Sequence, residues 1–132
     1  MRVLSLRPVW AWAVIHAQKT VENRSWNTDY RGPLLIHASG SMAESAEHTE
    51  WVKRATGIVV PDILDAGAII GAVDLVDVLA PDEPLPDKRG RKWAADDCLH
   101  WIFANPRACE PVDVLGKLRL WDFDGKDLKW IL

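Results

Sequence analysis

Cysteine, paired histidines, glycine-rich loops and net positive charge are all scarce in this sequence, and each scarcity removes a class of function. Two cysteines in 132 residues, Cys98 and Cys109, are too few for a disulfide scaffold, so reduced thiols and a cytoplasmic setting are expected. The four histidines (His16, His37, His48 and His100) show no close pairing, and neither C-x-x-C nor H-x-x-x-H occurs. No metal is expected on that spacing. There is no G-x-G-x-x-G and no Walker loop, so a dinucleotide or nucleoside triphosphate site is not indicated, and no cofactor is expected. No apolar run is long enough to span a membrane, and the opening Met1–Leu6 is broken by Arg7 and Pro8 before a signal-peptide core can form. The formal net charge of -3 lacks the overall basic footprint of a duplex-binding protein. Any nucleic-acid contact is thereby confined to a local patch or a pocket for one or a few nucleotides.

What is present is a globular composition, 48% hydrophobic and 27% charged, in a chain whose length suits a single domain spanning 1–132. Tryptophan is the outlier, with eight residues against one tyrosine and two phenylalanines. Roughly one to three of these indoles are expected to face a ligand and the rest to fill the core.

Taken in order, Val3–Leu6 reads as a short strand, and Pro8 suits the first turn of a buried helix over Val9–Ala17. Residues 27–33 are dense in turn formers, and Leu34–Ser39 is a buried strand that becomes polar at its end. Ser41 and Glu44 have capping-box spacing, which predicts a helix over about 42–56 with Gly57 as its stop. Ala68–Leu79 is the longest strand signal, and Gly71 within it marks a bulge or a close backbone approach. Cys98–Ala104 is a further strand, Asn105-Pro106-Arg107 a turn, and Lys117–Phe123 a last alternating strand. Leu128–Leu132 folds back as a closing segment. Strands and helices do not alternate regularly, so the expected class is α+β: a small, mixed, mostly antiparallel barrel of five or six strands with a short early helix and one capped helix.

The chain is organised around Lys19-Thr20-Val21-Glu22-Asn23-Arg24-Ser25-Trp26. In an extended conformation Thr20, Glu22, Arg24 and Trp26 share one face, with Lys19 at the start. A strand made only for burial does not carry a carboxylate and a guanidinium on one face, because lone charges are costly to desolvate. An ordinary structural ion pair is the competing reading. In a half-dry cleft, Lys19 and Glu22 have the groups for acid–base work, or Lys19 serves as a donor to a substrate oxygen. Lys88, Arg89, Arg91 and Lys92 form a basic cluster ending at Trp93. It reads either as a phosphate contact beside a stacking ring or as a solvated loop tip, and composition favours the loop tip. His48 reads as a solvated helix residue. His37, Ser39 and Ser41 lie close in sequence, but nothing around them resembles a nucleophile elbow.

Residues Leu4–Arg7, Trp10-Ala11, Lys19–Trp26 and Tyr30–Ser39 together resemble the ASCH domain family of the PUA-like superfamily. Gly67–Gly71, Trp101 and Gly116–Trp121 extend the resemblance over nearly the whole chain. It implies a PUA-like β-barrel whose cleft holds RNA or a nucleobase, with the lysine–glutamate–arginine strand in its floor. Carried over by motif, Lys19 and Glu22 become the catalytic candidates. Arg24, Trp10, Trp26, His37 and Ser39 become the substrate-binding ones. Some relatives remove the acetyl group from N4-acetylcytidine and others bind or cleave RNA, so the implied functions are a metal-independent amidohydrolase, an RNA-binding module or a ribonuclease on single-stranded RNA. This chain departs from the small bacterial amidohydrolases in having Glu22 where they carry threonine, and Ala17 where the family has glycine.

Overall fold

The computed structural model describes all residues, 1–132. Strand β1 (Arg2–Leu6) leads through Arg7 into helix α1 (Pro8–His16). Strands β2 (Val21–Arg24) and β3 (Gly32–Ala38), helix α2 (Ser45–Thr56), and strands β4 (Ala68–Leu79), β5 (Leu99–Asp113) and β6 (Leu120–Asp122) follow. All six strands form one mixed sheet in the order β2-β5-β4-β3-β1-β6, in which β1 and β3 are parallel and every other pair is antiparallel. The sheet curls into a half-barrel, the α+β architecture expected, with β2 and β6 as its edges.

Curvature has local causes. The β4–β5 register shifts at Ile69/Gly71, Ala72/Asp74 and Leu75/Asp77, and each shift adds local bend and twist. At Gly71 a Cβ would run into the Arg107 carbonyl and lie 2.8 Å from Ile15 Cδ1, so only glycine lets β4 pass beneath α1 and β5. The expected turn at Asn105-Pro106-Arg107 is instead a bulge within a 15-residue strand. Asn105 takes a φ of 52°, and Pro106 occupies the extra position, where its missing N–H costs no ladder bond.

Helix α1 lies in the concave face because Val14, Ile15 and Ala11 pack with Leu4, Leu34, Ile36 and Trp101, while Val9, Ala13 and Ala17 pack with Val21, Ile102, Trp93 and Val52. The second group joins α1 to α2 and to a 3₁₀ turn at Lys88–Trp93. A third cluster, including Val3, Leu35, Cys109 and Trp121, lies on the convex face, where the C-terminal segment returns to β5 through Glu110 N–H to Lys129 O (2.8 Å) and Ile131 N–H to Ala108 O (2.9 Å).

Two local readings are corrected. The capping box does not form: α2 begins at Ser45 behind Glu44 in a left-handed conformation (φ 63°), and Ser41 Oγ accepts only from Ala43 N–H (3.3 Å). Gly57 does end the helix in the left-handed region (φ 76°), its N–H bonded to Lys53 O. Lys117–Phe123 is extended and paired only over Leu120–Asp122, since Arg119 at φ 57° breaks the run.

No helix is long and apolar enough to cross a membrane. At the end of α1, partial desolvation pushes the imidazole of His16, an exposed residue, below its ordinary value, and Asp65 partly opposes that. A depressed histidine favours the neutral form in the folded state. Its contribution to stability is therefore present above the unfolded value of about 6.5 and is lost as pH falls below that. Denaturant midpoints should decline between pH 7.5 and 5, and His16→Gln should remove part of that slope. An unchanged slope in the variant would assign the pH dependence to other groups.

Candidate active site and ligand cleft

Helix α1 stops because Gln18 turns left-handed (φ 58°), which folds Lys19 N–H back onto Ala13 O (3.1 Å). Ala17 has a φ of -124° that any residue adopts, so no glycine is required at this position. The turn delivers Lys19 to the mouth of β2 with its side chain only 4% exposed. Strand alternation then puts Glu22 and Arg24 on one face of β2.

Lys19 Nζ donates to Glu22 Oε1 (2.7 Å) and to Val21 O (2.6 Å). The other carboxylate oxygen, Oε2, lies 3.1 Å from Arg24 Nε, but that N–H is not aimed at it and has no hydrogen-bond partner. Arg24 Nη2 donates to Ser5 O (3.0 Å), tying edge strand β2 across the open side of the sheet to β1. Glu22 thus sits between two cations, its side chain 10% exposed. The polar floor is a buried lysine–carboxylate–guanidinium relay. As an ammonium, Lys19 keeps a third donor. Its Nζ also lies 5.7 Å from the centroid of Trp10.

This relay forms the floor of a cleft of about 770 Å³, within the range of small-ligand sites. Three tryptophans wall it: Trp10 from α1, Trp51 from α2 and Trp93 from the 88–93 turn. Trp10 meets Trp51 edge-on (5.7 Å), and Trp51 meets Trp93 at 5.5 Å, so the rings are contiguous. His48 lies against Trp10 with centroids 4.5 Å apart. Its Nδ1 and Trp93 Nε1 are buried without hydrogen-bond partners, as is Arg24 Nε. Buried polar groups are normally paired, so these three atoms are the exceptions among the residues that line the cleft. Asn23, on the opposite face of β2 from Glu22, fixes the wall: its Nδ2 donates to Trp93 O (2.9 Å) and its Oδ1 accepts from Ala95 N–H (2.8 Å).

The structure brings Lys19, Glu22, Arg24, Trp10 and Lys92 together in the cleft. It separates the others. Strand β2 ends at Arg24, and Trp26 turns away to pack edge-on against Trp101 (4.7 Å), with the Arg119 guanidinium 5.0 Å from its ring. His37 is 1% exposed and points away from the cleft. Its Nε2 donates to Val114 O (2.7 Å) and its Nδ1 accepts from Ser5 Oγ (2.9 Å), roles set by the carbonyl, which can only accept. Ser39 serves as backbone, its N–H on Leu6 O and its carbonyl accepting from Gly67 N–H. Of the basic cluster, Arg89 is paired with Asp87 (2.7 Å), and Lys88, Arg89 and Arg91 do not line the cleft. Glu47, His48, Trp51 and Arg54, by contrast, all line it from one face of α2. Their spacing of i, i+1, i+4 and i+7 is a helix face legible in the sequence, and it shows that His48 is not simply solvated. No three histidine, cysteine, aspartate or glutamate side chains converge in a way that could hold a metal ion.

The fold has counterparts among known proteins. The ASCH domain family matches residues 4–113. The chain is 30% identical to mouse (Mus musculus) activating signal cointegrator 1 over 93% of its own length, and 29% identical to the human (Homo sapiens) protein over 93%. It spans only 22% of each of those longer relatives. The crystal structure of the ASCH protein from Zymomonas mobilis superimposes with a TM-score of 0.50 at 16% identity, covering 85% of this chain and 72% of that one. A mutant of the same protein gives 0.51 at 16% identity over 85% and 74%. At that identity the likeness is one of fold. On its sequence, its curled sheet and its match over residues 4–113, this chain belongs to the ASCH domain family, with the PUA-like α+β fold.

Proposed function

We propose that the cleft takes one nucleotide unit of RNA, or a modified nucleobase or nucleoside, with the base against the tryptophan wall and its polar edge on the Lys19–Glu22–Arg24 floor. The observation that carries this reading is the juxtaposition itself: a buried ion relay and three contiguous indoles lining one cleft, which is large enough for a nucleotide. Aromatic rings stack on any base, and unpaired bases are the usual target of sequence-reading RNA proteins. Charge agrees. Five cationic side chains and two carboxylates line the cleft, although the chain as a whole is acidic.

A second reading makes the floor hydrolytic, and the 2.7 Å Lys19–Glu22 contact favours it. In an N4-acylcytosine, Glu22 would take a proton from a water attacking the acyl carbon, and Lys19 would hold the resulting oxyanion. Collapse would expel the cytosine amine, which takes the proton, and release the carboxylic acid. Glu22 already holds Lys19 through Oε1 and faces Arg24 through Oε2, so an attacking water would have to compete for it, which places binding ahead of hydrolysis.

Titration of the purified chain with short single-stranded RNA and with nucleosides, read by tryptophan fluorescence, tests the first reading. Saturable quenching is expected, weakened about tenfold or more by Trp10→Ala, since stacking one base on an aromatic ring is worth about 1–3 kcal/mol. Absence of any saturable response would overturn it. Incubation with N4-acetylcytidine and with labelled RNA, followed by chromatography, separates the alternatives. Cytidine release lost in Lys19→Ala establishes the amidohydrolase, RNA fragments lost in the same variant establish a ribonuclease, and neither leaves a reader.

A further inference from the structure

The cations of the cleft fall into two groups with different partners. Lys19 and Arg24, on the floor, are both committed to Glu22 and to the carbonyls of Val21 and Ser5. A phosphate placed there would face the Glu22 carboxylate, and like charges in a poorly solvated site repel strongly. The floor therefore suits neutral acceptors and donors, such as the carbonyl and amino groups of a base.

The uncommitted charge is at the rim. Arg7 precedes α1 and donates only to the Ala43 carbonyl (3.0 Å), with no carboxylate partner. Lys92, in the 88–93 turn, makes no ion pair, unlike its neighbour Arg89, which Asp87 neutralises. Arg54, in the last turn of α2, approaches Glu50 only at 3.8 Å, with both side chains largely exposed. Pairs of that kind contribute little and exchange readily for a better anion. Three elements distant in sequence thus each bring one cation without a close carboxylate partner to a cleft that Glu47 of α2 also lines. An acidic protein has no need of that arrangement for folding.

We propose that Arg7, Arg54 and Lys92 form a phosphate subsite at the rim, so that the cleft selects a phosphate-bearing nucleotide over the free nucleoside or base. This rests on the nucleotide reading of the cleft and divides its labour: indoles and the ion relay hold the base, and the rim holds the phosphate. Guanidinium groups suit phosphate through paired donors, and lysine as a point charge. It also assigns the phosphate to groups other than Arg24, and takes from the basic cluster Lys92 alone.

The test is calorimetric titration with the four ribonucleosides and their four 5′-monophosphates, at low and at physiological salt. The chains compared are the unaltered one, a rim variant (Arg7→Gln, Arg54→Gln, Lys92→Gln) and a charge-matched control (Lys53→Gln, Lys126→Gln, Lys129→Gln) that touches nothing in the cleft. For at least one base, the monophosphate is expected to bind tenfold or more tightly than its nucleoside at low salt, with the gap narrowing as salt rises. The rim variant should lose that gap while keeping the nucleoside affinity, and the control should keep both. Lys92→Gln alone, which removes no folding contact, should lose part of the gap and guards against misfolding of the triple variant. Equal binding of nucleosides and monophosphates by the unaltered chain overturns the subsite but leaves the nucleotide reading standing. A gap that survives in the folded rim variant does the same. Failure of all eight compounds to bind overturns the reading itself, and the subsite with it.

Discussion

Glu22→Ala is expected to lower unfolding free energy by about 3–5 kcal/mol, which for a domain of this size is a large part of the total. The carboxylate is the only anion between Lys19, which is 4% exposed, and Arg24, whose Nε is buried without a hydrogen bond. Removing it leaves two cations close together in a site where neither recovers full hydration. Lys19→Met alone should cost less. It deletes one charge and leaves Glu22 with Arg24, and Met fills the stem's space beside Trp10. The double variant Glu22→Gln, Lys19→Met should recover much of the loss, because a buried ion pair is often replaceable by neutral groups. Urea midpoints for Glu22→Ala and for the cycle of Glu22→Gln, Lys19→Met and their double variant check this, with the coupling between Lys19 and Glu22 read from the cycle as departure from additivity. Additive single effects would show that the relay is not energetically a unit. That would favour a floor kept open to water.

Trp101→Ala is expected to cost about 3–5 kcal/mol as well, by a different route. Trp101 is 0% exposed, and it lies on β5 directly opposite Glu22 on β2. It packs edge-on against Trp26 and donates from Nε1 to the Trp26 carbonyl (3.3 Å), which holds the chain leaving β2. Truncation opens a large void in the concave core and frees that carbonyl. Trp101→Phe keeps most of the apolar volume and should cost well under half as much, since it loses the indole donor and part of the ring. Thermal unfolding of the two variants distinguishes a packing role from a hydrogen-bonding one. If Phe were as damaging as Ala, the hydrogen bond to the Trp26 carbonyl would outweigh the packing.

Both predictions bear on how the site is supported. The relay is built on a four-residue edge strand, and three things hold that strand: its ladder with β5, the Arg24–Ser5 bond across the sheet, and Asn23 gripping the Trp93–Ala95 backbone. Binding groups placed on rigid elements stay within the tolerance that recognition requires. Helix α2 is different. Only Val52 of its residues is buried, yet Trp51, His48 and Arg54 all come to the cleft from it. The cleft therefore has one wall anchored by ladder bonds and one resting on few side chains.

Much of this architecture is legible in the chain itself. The α+β class, the long strand at 68–79, the glycine approach at Gly71 and the Gly57 stop all follow from period, propensity and the conformations open to glycine, which are local properties. The alternation that pairs Glu22 with Arg24 is local too. The misreadings arise where a distant partner overrides the local signal. Trp26 continues the face of Glu22 and Arg24 by alternation, but the strand ends at Arg24, and burial against Trp101 takes the indole elsewhere. His37 and Ser39 are polar at a strand end, the usual look of a site, yet Val114, Ser5 and Leu6 satisfy their polar groups. Pro106 reads as a turn because the bulge that accommodates it exists only in the register with β4.

The family, the strand-rich class and the lysine–glutamate–arginine triplet are thus written in the linear chain, because they depend on residues near one another in it. Which of the eight indoles face the cleft is written only in three dimensions. So are the contribution of His48 and Trp51 from α2 and the meeting of Arg7, Arg54 and Lys92 at one rim. The reason is geometric: a cleft between α1, α2, β2 and the 88–93 turn is assembled from segments tens of residues apart, and no local pattern records which side chains a curled sheet will bring face to face.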